Sequence, residues 1–206
     1  MTDPIILHYH LHASRYQTQY DSVAAQDVHA AWAPLLKTLT PRLALDIGAG
    51  SGRDALWLEQ QGWQVTAVEP ATNLRQLGQH KTGHRVTWVS AQLPDLNDLQ
   101  CPPQGYDLIL LSAVWMHLKP EQRSMAMQRL YQYLSPQGVI IITLRFGPSD
   151  PTRPMYPVSV AELETLAQQM RLETQTLSEI STNDCLQRHD ISWKTLCLRP
   201  INEPHI

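Results

Sequence analysis

Cysteine is scarce in this 206-residue chain: Cys101, Cys185 and Cys197 are the only three, and they have no metal-ligand spacing. The odd count, with no signal peptide, sets aside a disulfide framework and points to a reducing cytoplasm. Long apolar runs are missing too. No stretch approaches the length of a membrane span, so no membrane partner is expected. Charge imbalance is slight. A formal net charge of -3 gives no global footprint for nucleic acid or an acidic membrane. Internal repeats and long low-complexity segments are also lacking. What remains is ordinary for one globular domain, with 43% hydrophobic and 17% charged residues.

The most informative stretch is 43–54, Leu-Ala-Leu-Asp-Ile-Gly-Ala-Gly-Ser-Gly-Arg-Asp. It opens as a short apolar run, the pattern of a buried strand. Glycines follow at Gly48, Gly50 and Gly52. Residues 55–61 then read as a helix, with Gly62 in the C-cap position. A strand, a glycine turn and a helix start make a site for an anionic or zwitterionic ligand, because the first helical N–H groups are free. A dinucleotide fingerprint wants G-x-G-x-x-G. Here the pattern is G-x-G-x-G, and Arg53 stands where the third dinucleotide glycine would be. Asp46 precedes the first glycine by two residues.

This stretch resembles the first motif of the class I S-adenosylmethionine-dependent methyltransferases. The resemblance implies that Asp46 lies near the methionine ammonium and that Gly48, Ala49 and Gly50 lie against the methionine part of the cofactor. Other segments extend it over roughly 41–199. Residues 64–69 read as a second strand ending in Glu69, and a strand-end acid can accept both ribose hydroxyls. Pro70 takes the family's adenine-packing position. A third strand, 85–89, leads into Ser90, Ala91 and Gln92. The family often has an acid where Ser90 stands. The resemblance therefore implies a backbone contact to adenine at Ala91, with Ser90 or Gln92 replacing the missing side chain.

Residues 106–112 form a fourth strand ending at Ser112, and 113–118 follow it. That stretch lacks the Asn/Asp-Pro-Pro-aromatic signature of amino-methylating nucleic-acid enzymes. It resembles the corresponding segment of small-molecule methyltransferases, which places Trp115 by the substrate and makes His117 the candidate base. A histidine titrates near neutrality and suits that task; loop ordering is the alternative role for His117. A helix over 120–134, a turn at 135–138 and a fifth strand at 139–144 come next. The loop 145–158 holds four prolines and offers Arg145, Arg153 and Tyr156. It leaves the carboxyl end of a parallel strand, where open α/β sheets bind ligands. Ser159 to Glu162 is a capping box, followed by a helix and strands at 171–178 and 191–198, with a polar stretch at 179–190 between them.

The element order fits the family's sheet, and the resemblance implies an α/β fold: a Rossmann-like, doubly wound seven-stranded sheet, mostly parallel, with the last strand antiparallel beside the fifth. Such a strand starts at the ligand end, so Arg188 and His189 should join Arg145 and Arg153 around an acceptor pocket. Arginine forks suit a carboxylate or phosphate. Residues 1–40 are expected to be an N-terminal helical arm or lid of the same domain, 41–206. Tyr16 or Tyr20 could close over the cofactor as a lid. His8, His10 and His12 alternate as on a strand, but no cysteine or carboxylate cluster completes a metal site, and a solvated arm is expected. Residues 21–39 show helical spacing, with Pro34 kinking or restarting the helix.

The expected activity is S-adenosylmethionine-dependent methyl transfer to a small anionic acceptor. The alternatives are a binding module without turnover, an RNA methyltransferase and an NAD(P)-dependent oxidoreductase. The acidic balance and short chain count against nucleic acid. The glycine spacing and the lack of Tyr-x-x-x-Lys count against the oxidoreductase.

Overall fold

The computed structural model describes residues 3–178 and 184–201. Its centre is a seven-stranded sheet, β1 (Leu43–Ile47), β2 (Gln64–Val68), β3 (Val86–Val89), β4 (Tyr106–Ser112), β5 (Leu134–Phe146), β6 (Leu172–Thr176) and β7 (Ser192–Pro200). The strand order is β3-β2-β1-β4-β5-β7-β6. The first five strands run parallel, and β7 pairs antiparallel with both β5 and β6. This is the sheet the sequence predicts.

Strand alternation divides the core between the two faces. Leu45, Ile109, Leu111, Ile140 and Ile142 point one way. They bury Met127 and Leu130 of α7 (Pro120–Tyr133) and Leu163 of α8 (Val160–Gln169). Ala44, Val65, Leu108, Leu110 and Ile141 point the other way, onto Ala55 and Leu58 of α5 (Arg53–Gln60). The caps follow the sequence. Ser159 Oγ accepts from Glu162 N–H, and Gln122 Oε1 accepts from Lys119 N–H at 3.0 Å. Among the described residues no helix is long and apolar enough to cross a membrane.

Three expectations need correction. The stretch that holds His8, His10 and His12 is not a solvated arm. It forms α1 (Pro4–Leu11) and α2 (Ala13–Asp21), which pack on α6 (Thr72–Thr82) through Ala13, Tyr16 and Leu74. The spacing over 21–39 does not give one long helix. It gives two single turns, α3 (Ala25–Val28) and α4 (Ala33–Leu36), with Pro34 in the first turn of α4. Trp32 and Leu36 are buried and anchor them. Lastly, β5 begins at Leu134, not 139. Leu134 pairs with Tyr106 and Val139 with Leu108, so Ser135 to Gly138 forms a bulge within the strand. Of the polar stretch 179–190, residues 179–183 lie outside the described ones.

Candidate functional site

A cavity of about 560 Å³ opens at the carboxyl ends of β1, β2, β4 and β5. The glycine turn forms one wall. Gly48 and Ala49 donate their N–H groups to Val68 O at 2.8 and 3.0 Å, which folds the chain sharply after β1. Gly48 has φ +70°, and a Cβ there would lie 2.6 Å from Val114 Cγ2. Only glycine fits both constraints.

Glu69 straps this wall to the next helix. Its Oε2 accepts from Gly50 N–H at 3.0 Å and its Oε1 from Ala71 N–H at 2.8 Å. Burial pushes its carboxyl up to about 7, although the two N–H groups and Arg75 pull the other way. Asp46 stands behind the turn. Its Oδ2 is buried without a partner, and the Ala55 backbone favours the ionised carboxylate. Burial, then the neighbouring Asp54, raises its pKa well above the ordinary range. Burial would raise Asp54 too, but His29 at 3.1 Å and Arg53 at 2.7 Å outweigh it and hold that carboxyl low. The arm is tied in here as well. Asp21 pairs with Lys81 and accepts from Ser51 Oγ at 2.9 Å.

His117 lies in a short 3-10 turn after β4 and lines the cavity. Its Nδ1 is 3.3 Å from Pro154 O, a pure acceptor, so Nδ1 carries the proton. Nε2 must then accept, and the Tyr9 hydroxyl donates to it at 3.1 Å. Arg153 Nη1 donates to the same Tyr9 oxygen at 2.6 Å. Burial, reinforced by Arg153, lowers His117 to about 4. The imidazole is therefore neutral at pH 7, and its lone pair is already engaged.

The far end of the cavity is cationic. Arg145 on β5 is cross-strand from Trp193 on β7, and Thr143 is cross-strand from Thr195. All four line the cavity, with Arg153 and Arg188. Arg188 is neutralised by Asp184 at 2.7 Å, and Asp184 also accepts from Trp193 Nε1 at 2.9 Å. Burial opposes ionisation of Asp184, but the Arg188 contacts hold its carboxyl near 2. Arg145 donates from Nη1 to Pro148 O. Among the described residues no carboxylate pairs with Arg145 or Arg153, and the Nε of each is buried without a partner. Thr143 Oγ1 is buried and unpartnered beside them.

The fold thus brings together Gly48, Ala49, Gly50, Glu69, Pro70, Ala91, Gln92, Ser112, His117, Arg145, Arg153, Arg188 and Tyr20 around one cavity. It places the other expected residues elsewhere. Ser90 and His189 are exposed outside the lining. Trp115 is fully buried in the main apolar core and does not face a substrate. Tyr156 fixes its loop instead, donating its N–H to Met116 O at 2.8 Å. Tyr16 backs the site: its hydroxyl bonds His8 Nε2 at 2.9 Å and its ring lies 5.4 Å from the Arg153 guanidinium. Tyr9, Thr143, Asp184 and Trp193 were not foreseen. Their roles depend on strand register and on partners far along the chain.

Residues 45–142 match the family model described as "Methyltransferase domain". The match spans β1 to most of β5, the part of the sheet that carries the glycine turn, Glu69 and His117. An uncharacterized methyltransferase of Alkaliphilus oremlandii is 33% identical over 101 residues, covering 48% of this chain and 44% of that protein. A probable S-adenosyl-L-methionine-dependent methyltransferase TehB of Haemophilus influenzae is 24% identical, covering 68% and 48%. The chain thus spans about half the length of the curated relatives it matches. Among solved structures, the chain shares its fold with 1,6-didemethyltoxoflavin-N1-methyltransferase of Burkholderia thailandensis. The TM-score is 0.64 at 20% identity, covering 98% of this chain and 92% of that one.

Proposed function

We propose that the protein transfers a methyl group from S-adenosylmethionine to a small anionic acceptor. One observation carries this reading. A single cavity has the glycine turn strapped by Glu69 at one end and, at the other, two guanidinium groups without a carboxylate partner among the described residues.

The residues present fit the cofactor. The tight turn at Gly48 and Gly50 leaves backbone surface for the methionine part. Glu69, with two oxygens at a strand end, suits the ribose hydroxyls, and Pro70, Ala91, Gln92 and Leu93 wall the adenine side. Asp46 would act through the turn, by holding Ala55 and the start of α5. The bound cofactor supplies an activated methyl group. The chain's part is to hold the acceptor in line and exclude water, which can provide about 7–11 kcal/mol of the barrier. Arg145 and Arg153 would anchor the acceptor's anion, and the arm residues Ile5, Ile6, Tyr9 and Tyr20 would seal the cavity. A proton leaving the acceptor would pass to Tyr9 oxygen as the Tyr9 proton moves to His117 Nε2. His117 would thus act through Tyr9, as a weak base that burial holds at about 4.

Calorimetric titration with S-adenosylmethionine, S-adenosylhomocysteine and NADH tests the cofactor, with Glu69→Ala as control. The reading expects the first two to bind wild type and to lose affinity in the variant. Binding of NADH alone would overturn it. Label transfer from methyl-labelled cofactor to small acids then tests the acceptor class.

A further inference from the structure

Arg153 belongs to two structures at once. Its planar guanidinium lies 5.5 Å from the Tyr9 ring centroid and 5.4 Å from that of Tyr16, and its Nη1 donates to the Tyr9 hydroxyl. Those tyrosines sit on α1 and α2, so this face fastens the arm. Its Nε is buried without a partner, and the residue lines the cavity. Arg145 also reaches that wall with a buried, unpartnered Nε, and the two like charges act on each other.

We infer that Arg153 is the residue that couples the arm to the acceptor: the guanidinium that receives the anion is the one that holds α1 and α2 shut. This rests on the proposed anionic acceptor and adds to it a specificity role for the arm.

The physical reason is a difference between two states. With the arm closed and no anion bound, Arg153 is half-buried beside Arg145, and Asp150 acts on it from a distance while no carboxylate among the described residues pairs with it. Opening the arm lets it hydrate. An oxyanion between the two arginines removes that incentive, so it binds the closed form better than the open form. A ligand shifts an equilibrium only by such a differential affinity, and the coupling is reciprocal. The anion tightens the arm, and the arm tightens the anion by the same factor. A neutral isostere would gain neither, so discrimination exceeds what a direct contact gives. Lysine could not replace Arg153, because a point charge cannot stack on two rings and present a separate N–H edge. The shared ligand chemistry is an oxyanion, a phosphate or a carboxylate.

Hydrogen exchange of residues 4–21 tests the inference in protein saturated with S-adenosylhomocysteine. Inorganic phosphate and benzoate serve as separate probes. The expected result is that at least one slows arm exchange by about 5- to 100-fold, the usual range of such couplings. Arg153→Lys should bind S-adenosylhomocysteine but lose the anion's effect on the arm. Tyr9→Phe should weaken anion binding by the factor that it loosens the arm. If a probe binds wild type and arm exchange does not change, or changes equally in Arg153→Lys, the coupling is wrong. If neither probe binds while S-adenosylhomocysteine does, the anionic acceptor fails and this inference with it. Failure of S-adenosylhomocysteine to bind instead overturns the cofactor reading. Whichever probe acts identifies the anion as phosphate or carboxylate.

Discussion

Tyr9 gives its hydroxyl proton to His117 Nε2 at 3.1 Å, across 108 positions of sequence. The Pro154 carbonyl on Nδ1 fixes the tautomer that makes this the only direction available. The two side chains therefore act as a unit in any proton transfer. Tyr9→Phe and His117→Gln should each lower kcat by about 10²–10⁴-fold, the range for a positioned acid–base group. The double variant should lose little more, because removing one member disables the other. A double variant that shows the product of the two losses would separate them.

Glu69 bridges two N–H groups in the ligand-free fold, so its removal loosens the turn as well as the ribose contact. Glu69→Gln keeps the shape and weakens both. Calorimetry should show a loss of about 10- to 100-fold in S-adenosylhomocysteine affinity, the worth of a hydrogen bond to a charged group. An unchanged affinity would remove Glu69 from the cofactor site.

Stability should depend on pH through two opposed groups. Burial raises Glu69 from an ordinary 4.5 to about 7. Its contribution is complete below about 4.5 and is lost as pH rises through 7. Burial lowers His117 from 6.5 to about 4. Its contribution is complete above about 6.5 and is lost as pH falls through 4. Each is worth about 3 kcal/mol across its window, and between 4.5 and 6.5 they offset one another. Relative to wild type, urea unfolding of Glu69→Gln should show stability rising with pH in that interval. His117→Gln should show it falling. Parallel curves for all three proteins would rule out these roles.

Gly48→Ala should cost about 1–3 kcal/mol, from positive φ and from the 2.6 Å approach to Val114 Cγ2. Adding Val114→Ala should recover the packing part and leave the backbone part. A thermal-melt cycle over the four proteins measures the two shares.

Arg123 is buried, with Nη1 2.6 Å from Glu162, Nη2 2.8 Å from Pro157 O and Nε 3.3 Å from Leu118 O. It ties the proline-rich loop to α7 and α8. Arg123→Ala should destabilise by about 3–5 kcal/mol, since its partners keep their polar groups in a dry site. Chemical denaturation checks this, and a loss below 1 kcal/mol would mean that the loop is held by other contacts.

The sheet was legible because its strands are apolar runs bounded by turns. Val139 to Leu144 could only be an interior strand. The five residues before it were not legible, since Ser135-Pro136-Gln137-Gly138 spells a turn and only pairing with Tyr106 makes it a bulge. The packing of the arm was not legible, for a different reason. Ile5 and Ile6 face the cavity while Leu7 and Leu11 face solvent, so α1 shows no single apolar stripe. Within the site, residues on the glycine turn and at strand ends were found where the motif puts them. Trp115, Tyr156 and His189 were misplaced because side-chain direction in a loop follows no period. Tyr9 and Asp184 left no local signal, since each matters only through partners brought to it by the fold.

The position of β7 has a consequence for synthesis. Among the described residues it is the last strand in chain order, yet it lies between β5 and β6 and carries seven paired positions with β5. Until residues 192–200 leave the ribosome, β5 presents an open apolar edge and β6 has no neighbour. The nascent chain therefore passes through a stage in which its longest strand invites pairing with other chains. Ribosome stalling or proteolysis ahead of Ser192 should yield aggregates, not a smaller folded domain.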